Sequence, residues 1–405
     1  MRILIIAYLF PPTNSMGALR PASWARHWSK SGHHVSVVSA ADLTQLTNHD
    51  AYSSINFIPI KHNDWFSQAK YYIKKLLKRN SFPAPSLSDL WWWQTYLALI
   101  KLDFDVVVSS YNPYINHWLG YLLKRRNPKL IWIADYRDLW SQNHFLQPNY
   151  WHKKFNSYLE RKFNLTADLL TTVSEPLATI LAQQYPQQKI YTLTNGFDRS
   201  SLDNLPHDNY WQDNKIHLVY TGTIYPEYQD LTPLFEALNL LKHQFNLVEH
   251  LVIDLVGSIP QSLNNKIKYL NLADVVFCHQ PTSRSQCLQM QRDAHGVIFI
   301  EYDYMDNQAI LTGKIFEYLI CGSPIIGIGS NDSTGAGKII NLANVGINFA
   351  NDVSKLTNYL SQLIQLQQKI SLQANLQFLE QFDQEYLSNL LLEQITQLRA
   401  KYAKS

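Results

Sequence analysis

Gly313-Lys314-Ile315-Phe316-Glu317-Tyr318-Leu319-Ile320-Cys321-Gly322-Ser323-Pro324-Ile325-Ile326-Gly327 is the stretch whose reading decides the fold. Ile315, Phe316, Leu319 and Ile320 recur at helical spacing, and Gly322 and Pro324 stop the pattern, so a short helix feeds a buried strand at Ile325-Ile326. Lys314, Glu317 and Tyr318 stand three and four positions apart, which stacks them on the face opposite the apolar stripe. One cation and one anion then share a surface beside a helix N-terminus, whose free N–H groups favour phosphate. A carboxylate one turn into such a helix can accept both hydroxyls of a ribose diol while Lys314 and the terminus face a diphosphate. The competing reading is an exposed amphipathic helix with a Lys/Glu pair, and composition alone favours it.

Working outward, 405 residues exceed what one hydrophobic core serves, so two domains are expected. The formal net charge of +3 is too small for a nucleic-acid protein. Basic clusters at Lys74–Arg79 and Lys124–Arg126 are compatible with an anionic membrane surface. The three cysteines, Cys278, Cys287 and Cys321, have no Cys-x-x-Cys spacing and fit a reducing cytoplasm. Met1–Phe10 is too weakly charged and too soon broken by Pro11-Pro12 for a signal sequence, and no apolar run reaches the roughly twenty residues of a membrane span. Any membrane contact is expected to be peripheral.

Ile3–Ala7, a Pro/Asn/Ser/Gly loop, a helical pattern from Leu19 through Trp28 and a second strand at Val35–Val38 make a βαβ unit, hence a parallel sheet covered by helices. Ligands in such sheets sit at strand C-termini. In that loop Gly17 permits close backbone approach to a phosphate or sugar, and Asn14, Ser15 and Arg20 supply polar groups; Asn14 and Arg20 are candidates for acceptor binding. There is no Gly-x-Gly-x-x-Gly, which argues against a dinucleotide cofactor. The basic, aromatic stretch from Trp65 to Lys101 includes Trp91-Trp92-Trp93, and Trp92 is a further acceptor candidate. It suits either a membrane interface or an ordinary helical hairpin on the sheet. Asp103-Phe104-Asp105 imitates a metal motif but lies at the entering end of strand Val106–Ser110, so it reads as a turn.

His117, in the first turn of the next helix, is a candidate contact for a phosphate or hydroxyl, against a surface or capping role. Strand Ile131–Ala134 ends in Asp135-Tyr136-Arg137-Asp138-Leu139-Trp140. Two carboxylates flanking a guanidinium at a strand C-terminus make Asp135, Arg137 and Asp138 the best first-domain candidates for ordering an acceptor hydroxyl, compatible with an internal salt bridge shaping the loop. Arg199–Lys215 carries no apolar period and reads as the interdomain linker. Beyond it, strand Ile216–Tyr220 precedes Thr221-Gly222-Thr223, whose N–H groups and hydroxyls suit a diphosphate. His279 is weighed as a base-edge contact against capping or packing. Gly335-Ala336-Gly337-Lys338 lacks the earlier glycine and the following Ser/Thr of a P-loop, and no metal-ligand or serine-nucleophile spacing occurs among the fourteen histidines and their neighbours.

Gly313–Leu319 followed by Gly322-Ser323-Pro324-Ile325-Ile326 resembles the donor-site signature of GT-B glycosyltransferases, in particular family-four enzymes that build capsules, exopolysaccharides and lipopolysaccharides. Asp135–Trp140 resembles the Asp-x-Arg-Asp-x-Trp signature of a subgroup of the same family. The resemblance implies two Rossmann-like parallel-sheet domains facing a cleft: residues 1–198 for the acceptor, with a helix in 382–405 crossing back to them; a linker at 199–215; and 216–381 for the nucleotide-sugar donor. It assigns Glu317 to the donor ribose and implies transfer with retention of configuration, without a cofactor. Two departures stand out. Ala309 occupies the place of a usual second glutamate, and Ile224–Tyr228 replaces the Arg and Lys that many relatives place there, so diphosphate neutralisation falls to Lys314, helix termini and Arg284. An epimerase on the same frame and a non-catalytic binding subunit are the alternatives.

Overall fold

The computed structural model describes residues 1–13, 16–43, 46, 50–60, 91–142, 150–203, 205–302 and 311–403. Asn14, the Lys74–Arg79 cluster and Ala309 lie outside them. The chain divides into two compact units, Met1–Thr194 with Gln384–Ser405, and Asn195–Asp383.

The first unit runs β1 (Arg2–Ile6), α1 (Met16–Lys30), β2 (His34–Val38), β3 (Asn56–Phe57), α2 (Trp91–Leu99), β4 (Val106–Tyr111), α3 (Ile115–Arg126), β5 (Ile131–Tyr136), α4 (Tyr150–Asn164), β6 (Leu169–Thr172), α5 (Glu175–Gln184) and β7 (Ile190–Thr192). Its seven strands pair in parallel in the order β3-β2-β1-β4-β5-β6-β7. Every residue of β4, β5 and β6 is buried, as expected of strands with helices on both faces.

The second unit contains β8 (Ile216–Thr221), α6 (Thr232–Leu241), α7 (Leu247–His250), β9 (Leu251–Val256), α8 (Gln261–Tyr269), β10 (Val276–His279), α9 (Arg284–Asp293), β11 (Gly296–Ile300), α10 (Gly313–Ile320), β12 (Ile325–Ile328), α11 (Gly335–Ala343), β13 (Gly346–Ala350), α12 (Val353–Leu366) and α13 (Leu376–Glu380). Its six strands are also parallel, in the order β10-β9-β8-β11-β12-β13. Residues 199–215, read from sequence as a linker, lie within this unit: the Trp211 ring stacks on His217 at 3.9 Å, and the Tyr210 N–H donates to Asp293 at 2.9 Å. A segment without apolar period is thus anchored by two aromatic residues and a hydrogen bond.

The last helix, α14 (Gln384–Tyr402), rejoins the first unit. Leu387, Leu391 and Ile395 enter the core formed by Trp24, Trp28 and the inner residues of β1, and the Trp28 indole N–H donates to the Ser388 carbonyl at 2.9 Å.

Candidate active site

In each sheet the loops that follow the strands gather at one end; Arg137, Asp138, Gly222 and Thr223 belong to such loops, and the other described candidates lie on strands or helices. In the second unit Gly222, just past β8, has φ +124°, a conformation that a side chain would strain. A Cβ there would stand 3.0 Å from Lys314 Cε and 3.2 Å from its Nζ, so the glycine makes room for the lysine. Lys314 hydrogen-bonds the Tyr220 hydroxyl, lies 4.1 Å over the Tyr220 ring and reaches the Thr223 carbonyl at 3.5 Å. Burial lowers its pKa to about 7, although Glu317 pulls the other way.

Glu317, one turn along α10, keeps 14% of its side chain exposed. Its Oε1 accepts from Arg284 Nε at 3.0 Å and Arg284 Nη2 at 3.0 Å, so Arg284, at the start of α9, is tied to the carboxylate. Tyr318 departs from the sequence reading. It is 1% exposed rather than on the open face, and its hydroxyl accepts the Thr221 N–H at 3.2 Å while Gln291 donates to Thr221 Oγ1 at 2.7 Å. The tyrosine is long enough to turn under the helix and brace the loop. Lys314, Glu317, Arg284, Thr221, Gly222 and Thr223 therefore form one continuous cluster.

Sequence reasoning missed two groups here. Glu301, directly after β11, is 4% exposed with Oε2 unpartnered among the described residues, and burial raises its pKa against hydrogen bonds from Thr334 and Tyr302. Its signal was a carboxylate immediately ending the apolar run Val297–Ile300 at the ligand end of the strand. Asp254 in β9 binds His279 Nε2 at 2.7 Å and His217 Nδ1 at 3.1 Å. The hydrogen bond to Asp254 raises the His279 pKa despite burial, and the ring is fixed toward the carboxylate.

In the first unit Asp135 is fully buried. Its Oδ1 accepts from Arg20 Nη2 at 2.8 Å, Arg20 Nε at 3.2 Å and Thr171 Oγ1 at 2.8 Å, and its Oδ2 accepts from Ser110 at 2.9 Å. Ser110, Asp135 and Thr171 are register partners across β4, β5 and β6, which is why the three side chains meet. Arg20, 2% exposed, spends Nη1 on the Thr194 carbonyl at 2.7 Å. Two sequence readings are corrected by this saturation: Asp135 and Arg20 fasten α1 to the sheet and present no group to an acceptor. Gly17 is also reinterpreted. A Cβ there would stand 2.0 Å from Arg137 Nη1, so its open face is filled by the arginine rather than by a ligand. Arg137 donates from Nε to the Tyr111 carbonyl at 2.7 Å, and Asp138 is exposed.

His117 faces inward, not toward a ligand loop. It is fully buried against Tyr136, with Nδ1 2.8 Å from Ser109 Oγ and Nε2 unpartnered among the described residues. Burial lowers its pKa to about 3 in spite of Asp135, so it remains neutral in the core. Trp92 is half-buried, edge-on to Trp118 at 6.0 Å and to Trp93 at 5.4 Å. Asp103 and Asp105 pair with Arg2 at 3.7 and 3.2 Å, as a turn at the entering end of the sheet does. Among the described residues no three His, Cys, Asp or Glu side chains gather as metal ligands, and no helix is long and apolar enough to cross a membrane.

Two parallel-sheet Rossmann-like units in one chain, with the last helix returned to the first, define the GT-B architecture. Residues 22–201 match the sequence model of Glycosyltransferase Family 4, so this part of the chain is similar to that family. The chain is 22% identical over 199 residues to an uncharacterized glycosyltransferase of Methanocaldococcus jannaschii; the match takes in 45% of this chain and about half, 49%, of that protein. Sucrose-phosphate synthase from Thermosynechococcus elongatus superposes with a TM-score of 0.61 over 99% of this chain and 100% of that one at 15% identity. TarM of S. aureus does so with a TM-score of 0.61 over 98% of each chain at 12% identity.

Proposed function

We propose that the protein transfers a sugar from a nucleotide-sugar donor, held by the second unit, to a glycan or lipid-linked acceptor taken by the first, in the synthesis of a cell-surface polysaccharide, with retention of configuration. The observation that carries the reading is Glu317, a carboxylate fixed by Arg284 at 3.0 Å one turn into a helix whose N-terminus carries Lys314. A ribose diol offers that carboxylate two hydrogen-bond donors, and the diphosphate meets the lysine and the helix N–H groups. As the glycosidic bond opens, charge develops on the leaving diphosphate, and the same groups are already aimed at it, so no metal is required in this scheme.

Arg137, Asp138 and half-buried Trp92 are the described first-unit candidates that remain to face an acceptor. Peripheral contact with an anionic membrane is supported by α4, where Trp151, Phe155 and Tyr158 share one face and are 75%, 38% and 62% exposed beside Lys153, Lys154, Arg161 and Lys162. The deciding assay measures consumption of UDP-, GDP- and dTDP-sugars with and without a lipid-linked acceptor. Acceptor-dependent consumption with a new glycosidic bond is expected. Conversion of the free nucleotide sugar without acceptor would mark an epimerase, and binding without turnover a non-catalytic subunit; either result overturns the reading. A chelator is expected to leave turnover unchanged.

A further inference from the structure

We infer that the first unit binds a phosphoryl oxyanion at Arg137, beside the first turn of α1. Nε of this partly buried guanidinium is spent on the Tyr111 carbonyl at 2.7 Å, and no acceptor among the described residues meets Nη1 or Nη2. Both terminal nitrogens lie against the open face of Gly17, 2.0 and 2.8 Å from where its Cβ would stand. The neighbouring charges compensate only in part. Asp135 is committed to Arg20 at 2.8 Å, exposed Asp138 makes no ion pair with Arg137, and the first turn of α1 contains no acidic residue. Burial lowers the Arg137 pKa in spite of Asp135 and Asp138, as it does for a cation whose surroundings leave it short of negative charge.

A guanidinium withdrawn from water without an anion is costly, and a neutral hydroxyl does not cancel its charge. Its two terminal nitrogens match two oxygens of one phosphoryl group, and the free N–H groups at the start of the 15-residue α1 point the same sign of potential at that place. The site also lies where β5 ends, the ligand end of a parallel sheet. The inference rests on the glycosyl-transfer reading only for the origin of the phosphate, which is a phosphate carried by the acceptor.

The test is calorimetric titration of the full chain, first with UDP, GDP and dTDP and then, at saturating nucleotide, with inorganic phosphate. Arg137→Gln is expected to weaken phosphate binding at least about tenfold, with Arg137→Lys intermediate. If nucleotide affinity is unchanged in Arg137→Gln, the phosphate belongs to the acceptor. A loss of about tenfold in nucleotide affinity itself would overturn the assignment to an acceptor phosphate. Gly17→Ala, which drives the guanidinium aside while keeping its charge, should reproduce the loss if Arg137→Gln does not fold. Phosphate and nucleotide affinities within about twofold of wild type in a folded variant, or a wild type that binds no phosphate, would overturn the site. Because the readouts are binding constants, a chain that takes up phosphate yet never transfers sugar would refute the proposed function and leave this site standing.

Discussion

Lys314 carries the clearest pH signature in the second unit. Its folded pKa of about 7 lies well below the ordinary 10.5, because the side chain is packed against Tyr220 and the loop after β8. A bound diphosphate favours the ammonium, so donor binding takes up a proton above pH 7, and affinity should fall as pH rises from 7 toward 9, by at most about tenfold per unit. Lys314→Met should flatten that dependence in a titration of nucleotide affinity against pH. Glu317→Ala should abolish transfer, with a loss of at least about 3 kcal/mol of donor interaction, while the melting temperature stays near that of wild type. Wild-type turnover in the variant would end the assignment.

At the scale of elements, the Asp135 cluster links α1 to three strands of the first sheet. Asp135→Ala leaves Arg20 buried without its anion and should cost about 3–5 kcal/mol in chemical denaturation of the first unit. The strands and most helices were legible because parallel strands covered on both faces appear as short apolar runs, as at Val106–Val108 and Ile325-Ile326. What escaped was the direction of individual side chains. Helical period placed Tyr318 with Lys314 and Glu317, but its reach allows it to turn inward to the Thr221 N–H. His117 illustrates the same gap, since its position in a first turn does not say which side of the turn meets the sheet. Asp135 read as a loop carboxylate because its saturation depends on the register with Ser110 and Thr171, and register is not written in either strand alone. Glu317 with Lys314, by contrast, was recoverable from spacing within a single helix.

For the whole molecule, the return of α14 to the first unit makes residues 384–402 part of a core that otherwise ends at residue 194. Deleting them uncovers Leu387, Leu391 and Ile395 together with Trp28, and burying three such side chains is worth about 5 kcal/mol or more. The truncated chain should lose the first unit's cooperative unfolding transition, read by calorimetry, while the second unit keeps its own. Membrane contact is also tested on the whole chain. Trp151→Glu with Tyr158→Glu should reduce sedimentation with anionic phospholipid vesicles severalfold and leave binding of nucleotide unaltered.

The path of the chain into and out of the second unit has a practical consequence. The Phe197 N–H donates to the Phe382 carbonyl at 2.9 Å, and Phe197 bridges Asp383 in parallel, so the two ends of this unit lie side by side. A fold whose beginning and end are neighbours can be lifted from its host as a cassette and replaced by a homologous one with only two splice points. Under the proposed function, chimeras built at these junctions should exchange the choice of activated sugar and leave the first unit untouched.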